Sequence, residues 1–332
     1  VNHARRVAGE AGEEGMINVF AKNNELVEVF TFQDFENFPF EEQNILWYEL
    51  INPTFAELYC IAQNYDLNLY EDPEKSAVVK YWENSTSITI NTYFIYKDSP
   101  LAFHTEAITY FIANNILFTL YHGDFPIFQE VQRRVLASPK KFHDGFDILG
   151  KILELYFEKG ADCLEEVNRE TSALRKQIVF DLEACTHEET LISLSFLQEF
   201  NMELRDSLFD KRRIITALLK SNKVDSETKK DFNIIIKDFN SLVEFSTANL
   251  NALDNIQNLF TSQVNVEQNK IIKLFTVATM AMMPPTLIGT IYGMNFEVMP
   301  ELRWEFGYPV AIVAMVVSTI LPILYFKKKG WL

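Results

Sequence analysis

For most of its length the chain mixes apolar and polar positions at spacings that suit half-buried elements, and near its end that pattern changes. Leu274 to Phe296 and Phe306 to Phe326 carry no charged residue over 23 and 21 positions, and the acidic segment Glu297 to Glu305 divides them. A helix needs roughly 20 apolar residues, at about 1.5 Å each, to cross ~30 Å of hydrocarbon. The pattern therefore predicts a membrane hairpin: a transmembrane helix at 274–296, a loop at 297–305, a second helix at 306–326 and a basic tail at 327–332.

Upstream, short β-rich runs are broken by Asn, Asp and Pro, as strands between turns should be. They are Ile17 to Ala21, Leu26 to Phe32, Val78 to Trp82, Ser87 to Tyr96 and Ala107 to Ala113. Pro53 to Tyr65 reads as a helix with Asn52 as N-cap and Pro53 at its first position. Together they predict an α/β domain over 16–141 with a largely antiparallel sheet. Between 142 and 225 the strand signal disappears. Lys151 to Leu182 and His187 to Ser221 have apolar residues three and four apart with dense charge between them, the mark of long amphipathic helices. Asp225 or Ser226 then caps a third helix, which would run about 70 residues, or roughly 105 Å, to the membrane exit, with 226–273 as its stalk. Val1 to Gly15 lacks apolar periodicity and is expected to be a non-native leader ahead of Met16. The expected fold class is an α+β cytosolic domain followed by long stalk helices and a two-helix transmembrane hairpin.

One face of the third helix is unusual. Counting back from Gly293 in steps of three and four gives Thr290, Thr286, Met283, Thr279, Thr276, Ile272, Asn269, Asn265, Ser262, Asn258, Asn255 and Asn251. This stripe is almost wholly neutral and polar, and it continues into the apolar run. Four threonines on one face suit water or other helices better than lipid. Several copies around a water-filled axis would satisfy them, provided the helices supercoil left-handedly to keep a seven-residue repeat axial. Pro284 and Pro285 predict a local bend near Met283.

Charge narrows the chemistry. A formal charge of -16 argues against nucleic-acid binding, which gathers Lys and Arg to displace counterions. Cys60, Cys163 and Cys185 are widely spaced and form no CxxC pair, so neither a disulfide framework nor a zinc site is expected. His104, His122 and His143 lack metal spacing. Gly145 to Lys151 has the glycine and lysine spacing of a phosphate-binding loop, but Ile152 stands where a Ser or Thr would hold magnesium, and the intervening residues are bulky. A helix start is the better reading. No nucleophile, base or nucleotide site is left, so no enzyme is expected.

The outer end of the first run, Tyr292-Gly293-Met294-Asn295-Phe296, is followed by Met299-Pro300-Glu301-Leu302, a short loop, a second span and Lys327-Lys328-Lys329-Gly330-Trp331-Leu332. This arrangement, at the end of a long helix behind an acidic α/β domain, resembles the CorA family of magnesium channels. The likeness covers the chain from Met16 onward and is strongest from about Asn265. It implies a homopentamer in the inner (plasma) membrane, with the first span lining the pore and the second facing lipid. By that likeness Asn295 is the selectivity residue, with Gly293 and Met294 completing the motif. Met283 matches a gate, Ile272 and Phe275 a hydrophobic neck, and Asn269 a lower polar ring. Thr279, Thr286 and Thr290 complete the lining. Where the heptad count picks Thr276 as axial, the family pattern favours Phe275, and Pro285 is an addition to its single proline.

The chemistry agrees with that resemblance. Mg2+ holds its waters tightly and dehydrates reluctantly, so a ring of neutral amide oxygens could hydrogen-bond the hydrated ion without stripping it. Gly293 would permit unusual dihedrals at the mouth. Glu297, Glu301 and Glu305 would concentrate cations outside. Lys270, Lys273 and Lys327 to Lys329 flank the spans on one side, placing both termini in the cytosol. The resemblance also implies magnesium sensing by acidic residues between subunits. Candidates are Asp231, Asp238 and Asp254, although ungapped counting from the membrane puts Ile234 near the expected place. Mg2+ is expected as transported and regulatory ion with no other cofactor, and copies of the chain and membrane lipid are the expected partners. Carriage of cobalt, nickel, manganese or zinc is the alternative within the class, and a non-conducting membrane-anchored oligomeric scaffold the alternative outside it.

Overall fold

A computed structural model of the chain describes residues 15–23, 26–32, 44–65, 67, 80–99, 101–123, 125–180, 187–295, 297 and 299–331. The supposed leader, apart from Gly15, and Cys185 lie outside these residues. The chain divides into two compact units, Val1–Asp254 and Asn255–Leu332.

The first unit is built on a seven-stranded sheet. Its strands are β1 (Met16–Asn23), β2 (Leu26–Phe32), β3 (Ile45–Ile51), β4 (Lys80–Glu83), β5 (Ser87–Ser99), β6 (Ala102–Ala113) and β7 (Ile116–Tyr121), in the order β2-β1-β3-β7-β6-β5-β4. All neighbours are antiparallel except the central pair β3 and β7. The sequence reading has no strand at either of these two. Both are covered on both faces, so β3 is buried at six successive positions and has no apolar–polar alternation. One face of β1 and β3 packs Ile17, Val19, Tyr48 and Leu50 into a core with Ile61 of helix α1 (Phe55–Tyr65). On the opposite face Phe20 stacks on Trp47, which packs against Phe128 of helix α2 (Pro126–Ala137).

Turn chemistry sets the register. Asn114 and Asn115 both have positive φ, 52° and 63°, and join Ala113 to its partner Ile116 in a two-residue hairpin turn. At α1 the structure corrects the expected cap. Thr54 caps the helix in a reciprocal box with Glu57: its N–H donates to Glu57 Oε2 at 2.6 Å, and the Glu57 N–H donates to Thr54 Oγ1 at 3.4 Å. Asn52, with φ 49°, instead accepts the Gly123 N–H on its side-chain oxygen and donates its own N–H to Tyr121 O, which ties it to the end of β7.

Three long helices follow: α3 (Gly145–Phe180), α4 (His187–Lys220) and α5 (Ser226–Tyr292). Asp144 caps α3, accepting the N–H groups of Phe146 and Asp147, so the helix begins six residues before the expected Lys151. The phosphate-loop spelling is thus its first two turns. Gly145 sits there because a Cβ would collide with the Leu117 backbone nitrogen, while its own N–H donates to Asn115 O. Of the two residues proposed to start α5, Asp225 is the cap: its carboxylate accepts the Thr228 N–H at 2.7 Å, and these local bonds hold its pKa below the usual range. At 67 residues, α5 is close to the length read from the sequence.

Among the described residues of the first unit, Glu49 and Lys211 are charged groups with no exposed surface. Glu49 accepts hydrogen bonds from Asn18, Tyr121 and Gln132, yet burial raises its pKa. Lys211 is fully buried among the rings of Tyr93, Phe94 and Tyr156, donating to Tyr93 O and to Ser207 Oγ. Burial pushes its pKa well below the usual lysine value, outweighing the neighbouring Asp210. Ser207 Oγ also lies 2.6 Å from Tyr156 OH. This serine–lysine–tyrosine trio has the parts of an activated nucleophile, but Ser207 and Lys211 have no exposed surface through which a substrate could reach them.

Candidate ion path

The second unit contains the end of α5, a 3-10 turn at Pro300–Arg303 and helix α6 (Gly307–Lys328). Both helices are long and apolar enough to cross a membrane. The α-helical part of the first span stops at Tyr292, so Gly293, Met294 and Asn295 lie beyond it. The second begins and ends one and two residues later than expected.

Burial separates the faces of α5. Val277 and Ala281 are buried and Pro284, Pro285 and Ile288 half-buried, while Gly289 approaches Met315 of α6. At 100° per residue this α6-facing side lies about 180° from the polar stripe. Along the stripe Asn269, Ile272, Thr279, Met283, Thr286, Thr290 and Gly293 are exposed, and so is Phe275 beside it. Phe275 is 68% exposed, whereas Thr276 is half-buried, so the structure favours Phe275 over the heptad count. Ala278, Met282 and Leu287, which the sequence reading does not single out, join Thr279, Met283, Thr286 and Thr290 along one groove. Their neighbouring positions on the helical wheel are the signal that could have found them. Upstream, Asn251, Asn255, Asn258, Ser262 and Asn265 are exposed too, while Ile256 and Phe260 are buried.

The threonine hydroxyls are already engaged. Thr279 donates to Phe275 O at 2.9 Å, Thr286 to Met282 O at 2.7 Å and Thr290 to Leu287 O at 2.9 Å. Despite Pro284 and Pro285, which each lack an N–H, α5 continues as an α-helix through both.

At the end of α5, Gly293 donates its N–H to Gly289 O and Thr290 O, closing the last turn. Its φ is not in the left-handed region, so the expectation of unusual dihedrals is corrected. What the position needs is space, because a Cβ would lie 3.2 Å from Gly289 O. Asn295 is exposed outside the helix, as are Met294, Glu297, Glu301 and Glu305. Gly307 lets the loop close onto α6, since a Cβ there would collide with Glu301 O.

The regulatory candidates do not converge within one chain. Asp231, Asp238 and Asp254 are exposed at intervals of 7 and 16 residues along α5, about 10 and 24 Å apart. Among the described residues no group of three or more His, Cys, Asp or Glu side chains is placed to hold a metal ion. Asp254 accepts a hydrogen bond from Gln198, and Asp231 lines a cleft with Asp144, Asp147 and Asp225. Ile234, where ungapped counting puts the sensing position, is 61% exposed.

Comparison with known proteins places this architecture. The family described as CorA-like Mg2+ transporter protein matches residues 42–328. The chain belongs to the CorA family. It is 62% identical over 319 residues to the magnesium transport protein CorA of Helicobacter pylori, covering 96% of this chain and 100% of that protein. It is 51% identical over 324 residues to the magnesium transport protein CorA of Wolinella succinogenes, again covering 96% and 100%. Among solved structures, the complete CorA magnesium transporter of Methanocaldococcus jannaschii aligns with a TM-score of 0.76 at 18% identity, over 97% of this chain and 100% of that one, and so shares the fold. The alternation of strands and helices before a long helix and an apolar hairpin is therefore the CorA fold.

Proposed function

We propose that this chain is the subunit of a homopentameric magnesium channel in the plasma membrane, with both termini cytosolic and α5 lining the path. One observation carries the reading: the polar stripe of α5 faces away from α6, so copies of the chain can place it around a common axis while α6 stays on the outside. Glu297, Glu301 and Glu305 raise the local concentration of cations at the mouth. The Asn295 amides accept hydrogen bonds from the waters of Mg2+ and leave the inner hydration shell intact, since this ion dehydrates reluctantly. Below them the ion passes Thr290, Thr286, the Met283 constriction, Thr279 and the neck formed by Phe275 and Ile272, with Asn269 at the inner end. Two charges crossing about 100 mV gain roughly 4.6 kcal/mol, so inward flow needs no coupled hydrolysis. Intracellular Mg2+ acts back by bridging acidic groups of adjacent copies, with Asp231, Asp238 and Asp254 as candidates, and favours the closed state.

The test is magnesium uptake into proteoliposomes by the wild type and Asn295→Ala, with hexa-ammine cobalt as a mimic of the hydrated ion. The variant is expected to lose at least tenfold in uptake or in Mg2+ selectivity, and the mimic to block the wild type. Uptake indifferent to both would remove the filter from the reading, and no uptake by any form would favour a non-conducting scaffold.

A further inference from the structure

The residue of α5 just before its apolar run, Lys273, meets the residues that end α6 in a contact that the ion path does not explain. Gly330 has φ 73° and donates its N–H to Lys327 O, while the Trp331 N–H donates to Phe326 O at 3.1 Å. This is a Schellman cap with its usual apolar pairing, for the Trp331 and Phe326 ring centroids are 5.0 Å apart. The cap fixes the indole, and Lys273 of α5 places its ammonium over that ring, 5.9 Å from the centroid.

Lys273 stands beside Ile272 of the stripe, on the part of α5 turned toward α6. Its four-carbon stem is long and flexible enough for the ammonium to swing toward a shared axis. There it would oppose the transported ion, and a divalent ion feels that repulsion twice as strongly as a monovalent one. We propose that Trp331 is a positioning residue that holds the Lys273 ammonium on the α6 side, off the cation path. This rests on the channel reading above. The Schellman cap supplies the rigidity, and the ring face supplies an attraction that a carboxylate partner would supply only by adding a competing cation site.

The clasp can be separated from simple membrane anchoring by a rescue. Initial Mg2+ uptake is measured in proteoliposomes with an entrapped fluorescent indicator, on full-length wild type, Trp331→Ala, Trp331→Phe and the double variant Trp331→Ala/Lys273→Gln, matched for oligomer content by size-exclusion elution. Trp331→Ala is expected to lower uptake by about three- to tenfold, Trp331→Phe by less, and the double variant to return to within about twofold of wild type. A double variant no faster than Trp331→Ala would show that the indole does not act through Lys273 and overturn the proposal, as would wild-type uptake by Trp331→Ala. Asn295→Ala in the same vesicles separates the two levels. If no form takes up Mg2+, the channel reading fails; if wild type conducts and Asn295→Ala loses uptake as expected while rescue fails, only the clasp does.

Discussion

The two units handle buried and exposed polarity in opposite ways. In the first, Glu49 and Lys211 are enclosed and find their donors and acceptors within the same chain. In the second, the polar groups lie along an exposed face of a helix apolar enough for lipid, opposite the side on which Gly289 approaches Met315 of α6. A soluble core settles its polar groups internally because exposure of backbone and apolar surface sets its limits. A membrane helix that keeps threonine on an open face needs water or another copy to make that face tolerable. The difference points to the open face of the second unit as the place to test the proposed function.

That contrast predicts unequal responses to substitution. The largest should come from Gly145→Val, which forces a side chain into the Leu117 backbone. Overpacking of this kind costs about 3 kcal/mol, and thermal unfolding of the full chain in detergent should show a clearly lowered midpoint. An unchanged midpoint would mean that the first unit is less tightly specified than its packing implies.

Lys211→Met should act in the opposite direction. A buried lysine whose folded pKa is depressed binds its proton more weakly than in the unfolded chain, so stability rises with pH up to the unfolded value near 10.4. Below that value the group costs stability. The methionine variant should be more stable at neutral pH by about 1–2 kcal/mol, with a flatter stability profile between roughly pH 7 and 10. A steeper profile or a loss of stability would show that the three ring faces hold the residue charged.

The smallest effect on stability belongs to the second unit. Thr279→Val keeps the shape and exchanges a hydroxyl for a methyl on an exposed face, so the unfolding midpoint should move by no more than the equivalent of about 0.5 kcal/mol. Mg2+ uptake should nevertheless fall several-fold. A large loss of stability with normal uptake would reverse the contrast, making the stripe structural.

The sequence was most legible where one physical requirement dominates. Asp225 and the unbroken pattern after it mark α5 almost to its length, and the stripe from Asn251 to Gly293, half-buried Thr276 apart, falls on the face that the structure leaves open. The centre of the sheet was not legible, because β3 and β7 are buried on both faces and carry no alternation. Asn114-Asn115 was the available sign of β7, since consecutive left-handed residues suit a tight hairpin. Helix α2 went unread even though Pro126 stands in its first turn and Phe128, Val131 and Val135 have helical spacing. At Asn52 the local rule for caps lost to a tertiary bond with Gly123. The proposed filter residues are marked by family resemblance alone, because a short Gly-Met-Asn triplet has no periodicity of its own.

The back-bonded threonines carry one more consequence. Thr279, Thr286 and Thr290 each commit their proton to a carbonyl of their own helix, so each hydroxyl oxygen can still accept a hydrogen bond but has no proton left to give. Water bound to a cation turns its hydrogens outward, and water bound to an anion turns its oxygens outward. Along an assembled path the first kind of shell would meet an acceptor at each of these three threonines, and the second would find no donor among them. Such a wall would sort ions by the polarity of the water they carry, using no formal charge of its own.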